Sequence, residues 1–233
     1  MQTHLLDMID SVICGDCREV LKDIPDGSVD LVVTDPPYRF TTGGGGIYKD
    51  DSPFLVKIRE LGTNEFDPDN YIPAILKKLK APNAYFFCNI DLVRDYGRLA
   101  AASDVAFDLL VVERDSQAPN TNNHYPSSVD YVVFMKRGGT FNTGLRPFSI
   151  YNKVQRFGQL RGSLHPNEKS VEICRKYIMV SSKPGDLVLD PFCGSGTTLV
   201  AAKELGRRYI GIEINPDFAR TAKLRLNQLT LSV

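Results

Sequence analysis

The amino-acid sequence predicts an α/β fold, with a mostly parallel sheet covered by helices on both faces. Two patterns predict it. Several short segments are almost continuously apolar and rich in Val, Phe and Tyr, which suits strands buried on both sides rather than strands with one wet face. Segments with helical character lie between most of them, and that alternation implies a sheet wrapped in helices.

In chain order the expected strands are "VDLVV" (29–33), "AYFFC" (84–88), "AFDLLVV" (106–112), "DYVVFM" (130–135), "DLVLD" (186–190) and "RYIGIE" (208–213). The expected helices are 69–79, 91–102, 167–180 and 197–206. A last helix follows Asn215, a good N-cap residue. Pro216 stands in its first turn, where a missing N–H costs nothing. Phe218, Ala222, Leu226 and Leu229 recur at spacings of three and four and define one apolar face. Two segments resist this scheme. Residues 39–66, with "TTGGGG" at 41–46, lack periodicity and read as a mobile loop. Residues 137–163 read as a small basic and aromatic insertion.

The chain of 233 residues, 42% hydrophobic, suits a single domain spanning 1–233. Lys+Arg 28 balances Asp+Glu 28, so net charge alone indicates no partner. No apolar run approaches the ~20 residues needed to cross a bilayer, and "MQTHLLDMID" lacks the basic start and apolar run of a secretion signal. The expectation is a soluble cytoplasmic protein, close to the nucleoid if its partner is DNA. Five cysteines are scattered along the chain, and Cys14 and Cys17 form a CxxC with no second pair at zinc spacing. No metal is expected.

Two motifs carry chemistry, both at strand ends, where open α/β sheets bind ligands. In "LVLDPFCGSGTTLVAAKELGRRYIGIE" (187–213) a strand ends at Asp190. Gly194 and Gly196 let the backbone turn tightly and approach a ligand, and the next strand ends in Glu213, placed to take both hydroxyls of a ribose. A dinucleotide site wants a third glycine where this chain has Leu199, so a nucleoside without pyrophosphate is favoured over NAD or FAD.

The second motif is "DPPY" (35–38) at the end of the first strand. The lone pair of an exocyclic amine is delocalised into its ring. Two hydrogen-bond acceptors held in fixed places would draw it out. Asp35 can supply one and the carbonyl of Pro36 the other. Pro36 and Pro37 restrict the backbone around them, and Tyr38 can stack on a base turned out of a duplex.

The run Asp190–Thr198 resembles the D-P-F-x-G-x-G-T-T motif of DNA amino-methyltransferases, in the class whose D-P-P-Y motif precedes the cofactor motif. The resemblance implies a Rossmann-like S-adenosylmethionine-dependent methyltransferase fold, with a circularly permuted motif order and one antiparallel strand. It implies S-adenosylmethionine as cofactor, held around Asp16, Cys17, Asp35, His165, Lys169, Asp190, Phe192, Gly194, Gly196, Thr197, Thr198 and Glu213. Within that set Asp16 would meet the adenine amino group and Cys17 would lie beside the ring. "HPNEKS" (165–170) matches the family's H-P-x-x-K-P, with Ser170 in place of the last proline. Asp35 at the motif head favours N6-adenine over N4-cytosine. The competing readings are an N4-cytosine enzyme and a catalytically silent nucleic-acid-binding module.

Between Asp130 and Glu168 there is no acid, while Lys136, Arg137, Arg146, Lys153, Arg156 and Arg161 fall there, interleaved with Phe141, Phe148, Tyr151 and Phe157. This stretch, with Arg39, is the expected contact with double-stranded DNA, through phosphate neutralisation and guanine readout. For the aromatics, packing within the insertion is favoured over wedging into DNA. A second copy of the chain assisting in recognition is an open alternative.

Overall fold

The computed structural model describes residues 2–37, 67–113, 128–156 and 170–230. Eight strands form one sheet: β1 (Ser11–Cys14), β2 (Leu31–Thr34), β3 (Asn83–Cys88), β4 (Ala106–Glu113), β5 (Val129–Lys136), β6 (Val154–Arg156), β7 (Leu187–Asp190) and β8 (Arg208–Glu213). Their order across the sheet is β1-β8-β7-β2-β3-β5-β4-β6. Only β5 runs against its neighbours; the other pairings are parallel. This is the Rossmann-like methyltransferase architecture expected from the sequence.

The continuous apolarity of the strands has the anticipated cause. Along β2, Val32 points into one core, and Leu31 and Val33 point into the other. The first core is closed by α1 (Gln2–Met8), α2 (Cys17–Asp23), α3 (Pro68–Lys78) and α4 (Ile90–Ala102). The second is closed by α5 (Val171–Ser181), α6 (Thr197–Glu204) and α7 (Pro216–Thr230). Each fully buried Leu, Ile, Val or Phe on these faces contributes roughly 1.5–3 kcal/mol. Asn215 caps α7 as expected, its Oδ1 accepting the amides of Asp217 (2.8 Å) and Phe218 (3.3 Å). The buried stripe of α7 runs through Ala219, Ala222 and Leu226, and Phe218 stands at its rim, 37% exposed.

The insertion contributes a strand to the main sheet, which its sequence did not indicate. From the end of β5 the chain turns back past the C-terminus of α5, where the Asn142 amide donates to the Val180 carbonyl at 2.7 Å. It passes through a 3-10 turn (Phe148–Tyr151) and then adds β6 to the sheet beside β4. Phe141 and Tyr151 pack against each other and Phe141 against Phe134, while the Tyr151 hydroxyl donates to the Asn142 carbonyl. The contacts lean the insertion on β5, with Phe141 40% and Phe148 62% exposed, so its aromatics do not form a buried core. Phe157 and the loop 39–66 lie outside the described residues.

Candidate active site

The winding of the chain reverses between β7 and β2. From β7 the chain moves through α6 to β8 on one side, and from β2 through α3 to β3 on the other. A crevice opens beyond the carboxyl ends of two such strands. Both sequence motifs end there, on neighbouring strands.

Four successive strands close on an acid. In sheet order they are Asp16, two residues past β1, Glu213 at the end of β8, Asp190 at the end of β7, and Asp35, one residue past β2. Three strand spacings make this row about 14 Å long. It fits a cationic nucleoside such as S-adenosylmethionine, with its sulfonium and ammonium charges. It does not suit a pyrophosphate, which Asp16, Glu213 and Asp35 would repel.

Each acid is held differently. Glu213 Oε2 accepts the Gly194 amide at 2.9 Å, and its Oε1 accepts the Asn215 amide at 2.8 Å. The Ile214 amide also bonds to this carboxylate, and the lone-pair capacity left over is available to a ligand hydroxyl. Burial raises the Glu213 carboxyl above its ordinary range, against the pull of these amides. Asp190 is 3% exposed. Its Oδ1 accepts the Thr34 hydroxyl at 2.6 Å and the Phe192 amide at 3.1 Å, and the Thr198 side chain also bonds to it. Burial pushes the Asp190 carboxyl up to about 7 despite these donors. It is enclosed by the chain's own groups and shapes the turn. Thr34 was not among the residues singled out from sequence; a threonine next to Asp-Pro-Pro gives no signal until its partner, 156 residues away, is known.

Asp16 serves a local need as well. Its Oδ1 caps α2 by accepting the Arg18 amide at 2.8 Å, and both oxygens take the Arg18 guanidinium, the shortest contact being 2.5 Å. The Arg18 pairing holds its carboxyl below the usual range. Cys17 is buried in the core beside it, and burial pushes its thiol up to about 12. Gly194 and Gly196 both have positive φ, +52° and +88°. A Cβ on Gly196 would stand 2.9 Å from the Ala222 Cβ, whereas one on Gly194 would meet nothing within 4 Å. Thr197 and Thr198 are buried in the first turn of α6, and Phe192 meets Tyr71 of α3 edge to face, with ring centroids 5.6 Å apart. Pro36 is buried, and Asp35 and Pro37 are half-buried. Tyr38, Arg39, Arg161, His165 and Lys169 lie outside the described residues. Ser170, where the resemblance has proline, is the N-cap of α5 and accepts the Glu172 amide at 3.2 Å.

A family model of DNA methylases acting on N6 or N4 matches residues 29–224. The chain belongs to this N6/N4 DNA methylase family. It is an S-adenosylmethionine-dependent DNA methyltransferase. The methylase is 27% identical over 240 residues to the type II methyltransferase M2.LlaDCHI of Lactococcus lactis subsp. cremoris, covering 93% of this chain and 89% of that protein. Among solved structures it superposes on the M1.HpyAVI–SAM complex with a TM-score of 0.69 at 24% identity, covering 92% of this chain and 98% of that one. It also superposes on the cytosine-N4-specific PvuII DNA methyltransferase, with a TM-score of 0.72 at 18% identity, covering 94% and 89%. Both likenesses concern the fold.

The basic residues are dispersed by the fold. Lys136 pairs in the sheet with Asn83 and Ala106, the first residues of β3 and β4. Lys136 and Arg137 therefore stand at the amino end of the sheet, opposite the crevice. Lys136 binds the carbonyls of Gly138 (2.6 Å) and Thr140 (3.1 Å), and Arg137 pairs with Asp104 at 3.2 Å. Arg146 lies over the Phe148 ring, 3.7 Å from its centroid. Lys153 pairs with Asp108, and Arg156 pairs with Glu113. Arg156 alone among these five stands level with the end of β4, on the crevice side. Among the described residues no group of three or more His, Cys, Asp or Glu is placed to hold a metal ion, and no helix is long and apolar enough to cross a membrane.

Proposed function

We propose that the chain methylates the exocyclic N6 of an adenine turned out of double-stranded DNA, at a specific site. The observation that carries this reading is the neighbouring of β2 and β7, which sets the Asp35–Pro36 corner beside the Gly194–Gly196 turn. Asp35 accepts one hydrogen of the amine and the Pro36 carbonyl accepts the other, so the nitrogen becomes more tetrahedral and its lone pair faces the donor. Tyr38 stacks on the base. S-adenosylmethionine, when bound, supplies a methyl group already activated by its sulfonium, so no strong base is required. Position and aimed dipoles provide most of the acceleration.

For the cofactor, Glu213 takes the ribose hydroxyls through the lone-pair capacity its amide contacts leave open. Asp16 takes the adenine amine by sharing its carboxylate with Arg18, and Cys17 borders the ring from the core. Gly194 leaves room for the ligand to approach, while Asp190, Thr197, Thr198 and Gly196 hold the turn in shape. His165 and Lys169 complete the methionine end. DNA is met on the crevice side, by Arg39, Arg156 and Arg161. Lys136 and Arg137 are left out because they stand at the other end of the sheet.

The test is methyl transfer from labelled S-adenosylmethionine to genomic DNA of a methylation-free host, with the modified base identified after digestion. Label recovered as N6-methyladenine is expected. Label recovered as N4-methylcytosine would establish an N4-cytosine enzyme instead. Tight cofactor binding without transfer would establish a silent binding module.

A further inference from the structure

We propose that Thr34 is a positioning residue for methyl transfer: its hydroxyl, tied to Asp190 across the floor of the crevice, fixes the Asp35–Pro36 corner relative to the Gly194–Gly196 turn. This rests on the reading of Asp35 given above.

The ladder between β2 and β7 consists of Leu31 with Val188 and Val32 with Leu189, and ends there. On their other sides the same strands stay paired further along, Thr34 with Phe86 of β3 and Asp190 with Gly211 of β8. The two central strands thus part just before the motifs, and their parting makes the crevice. The Thr34 to Asp190 bond, 2.6 Å long, spans the gap. Neither residue is open to water, at 0% and 3% exposure, so solvent does not compete for the bond. The oxygen that receives it also takes the Phe192 amide from inside the turn, and Thr198 holds the carboxylate from α6. One carboxylate therefore joins the end of β2, the turn after β7 and the start of α6. Thr34 is one peptide unit from Asp35. Where Asp190 is ionised, above about pH 7, the bond to this dry carboxylate is both short and directional, so a small displacement at Thr34 passes directly to the acceptor pair. Misplacement of reacting groups by about 1 Å costs up to about a hundredfold in rate.

The full chain is tested as Thr34→Val, which keeps the shape and removes the donor, and as Thr34→Ser, which keeps the donor. Single-turnover methylation of duplex DNA, cofactor affinity by calorimetry and melting temperature are measured for each. The valine variant is expected to lose about 10- to 100-fold in single-turnover rate, with cofactor affinity within about threefold of the parent, and the serine variant to recover most of the rate. The acidic limb of the rate profile should move to higher pH in Thr34→Val, because Asp190 loses a donor to its ionised form. The titratable groups around Asp190 are Asp35, Cys193 and, through Thr198, Cys174. A parental rate in Thr34→Val, or equal losses in the valine and serine variants, overturns the proposal. Should the valine variant not fold, Thr34→Ala is read in its place, and a parental rate from it overturns the proposal equally. Asp35→Ala is run alongside. Turnover surviving in Asp35→Ala refutes the reading of Asp35 itself, whereas a dead Asp35→Ala beside a fully active Thr34→Val refutes only the positioning role.

Discussion

Glu213 accepts the backbone amide of Gly194 at 2.9 Å. That bond fastens the acid ending β8 to the glycine turn following β7, so the group proposed to take the ribose and the turn proposed to underlie the cofactor form one unit. Glu213→Ala should raise the cofactor dissociation constant by about 10- to 100-fold. Charged hydrogen bonds contribute about 1.5–3 kcal/mol, and each 1.4 kcal/mol is about tenfold. Isothermal titration calorimetry measures it, and an unchanged affinity would contradict the ribose assignment.

Asp35→Ala should abolish turnover while cofactor affinity persists, since Glu213 and the turn are untouched. Parallel calorimetry and transfer assays check this. Equal loss of both activities would assign Asp35 a structural role.

The two glycines of the turn should respond differently. Gly196→Ala forces a methyl group against Ala222 at positive φ, and we expect a loss of roughly 1–3 kcal/mol or more in folding stability. Gly194→Ala meets open space and bears only the left-handed backbone cost of roughly 1–2 kcal/mol. Its added methyl should weaken cofactor binding more than it weakens the fold. Thermal melts with and without S-adenosylmethionine separate the two effects.

Stability should carry a pH signature of Asp190. Its carboxyl lies at about 7 in the folded protein because burial disfavours the ion, against an ordinary value of 3.8 in the unfolded chain. Between those values the folded state binds the extra proton, so this group's contribution to stability falls as pH rises from about 4 to about 7 and is constant on either side. Denaturant melts of Asp190→Asn and the parent across that window should show the parent losing stability relative to the variant as pH rises. A flat difference would contradict the raised value.

DNA binding should depend on Arg156 and not on Lys136 or Arg137. Arg156→Ala should weaken binding and lower the salt slope by about one counterion. The double variant Lys136→Ala, Arg137→Ala should leave the slope unchanged. Fluorescence anisotropy at several salt concentrations distinguishes the two.

Much of the fold was legible because β2, β3, β7 and β8 are buried on both faces, and dry strands leave a run of apolar letters. What escaped was short or polar. β1 is four residues, "SVIC", and α2 is "CREVLKD", whose only buried residues are Cys17 and Leu21. The edge strand β6 is three residues with a single buried side chain, Gln155. At the site, the row of acids was legible at strand ends, but the occupancy of each acid was not. Whether Asp190 faces a ligand or a threonine depends on a neighbour 156 positions away. The surroundings of the basic stretch were hidden in the same way. It is free of acids along the chain, yet Asp104, Asp108 and Glu113 come to Arg137, Lys153 and Arg156 in space.

The pairing of β1 with β8 brings Cys14 opposite Glu213, and Arg208 reaches Asp10 across 198 positions. During synthesis β1 emerges from the ribosome long before its parallel neighbour β8 exists. Contacts so distant along the chain form late. The nascent protein accordingly cannot complete the pocket proposed for the nucleoside before Glu213 is made, and truncation ahead of Arg208 would leave two bare strand edges open to aggregation.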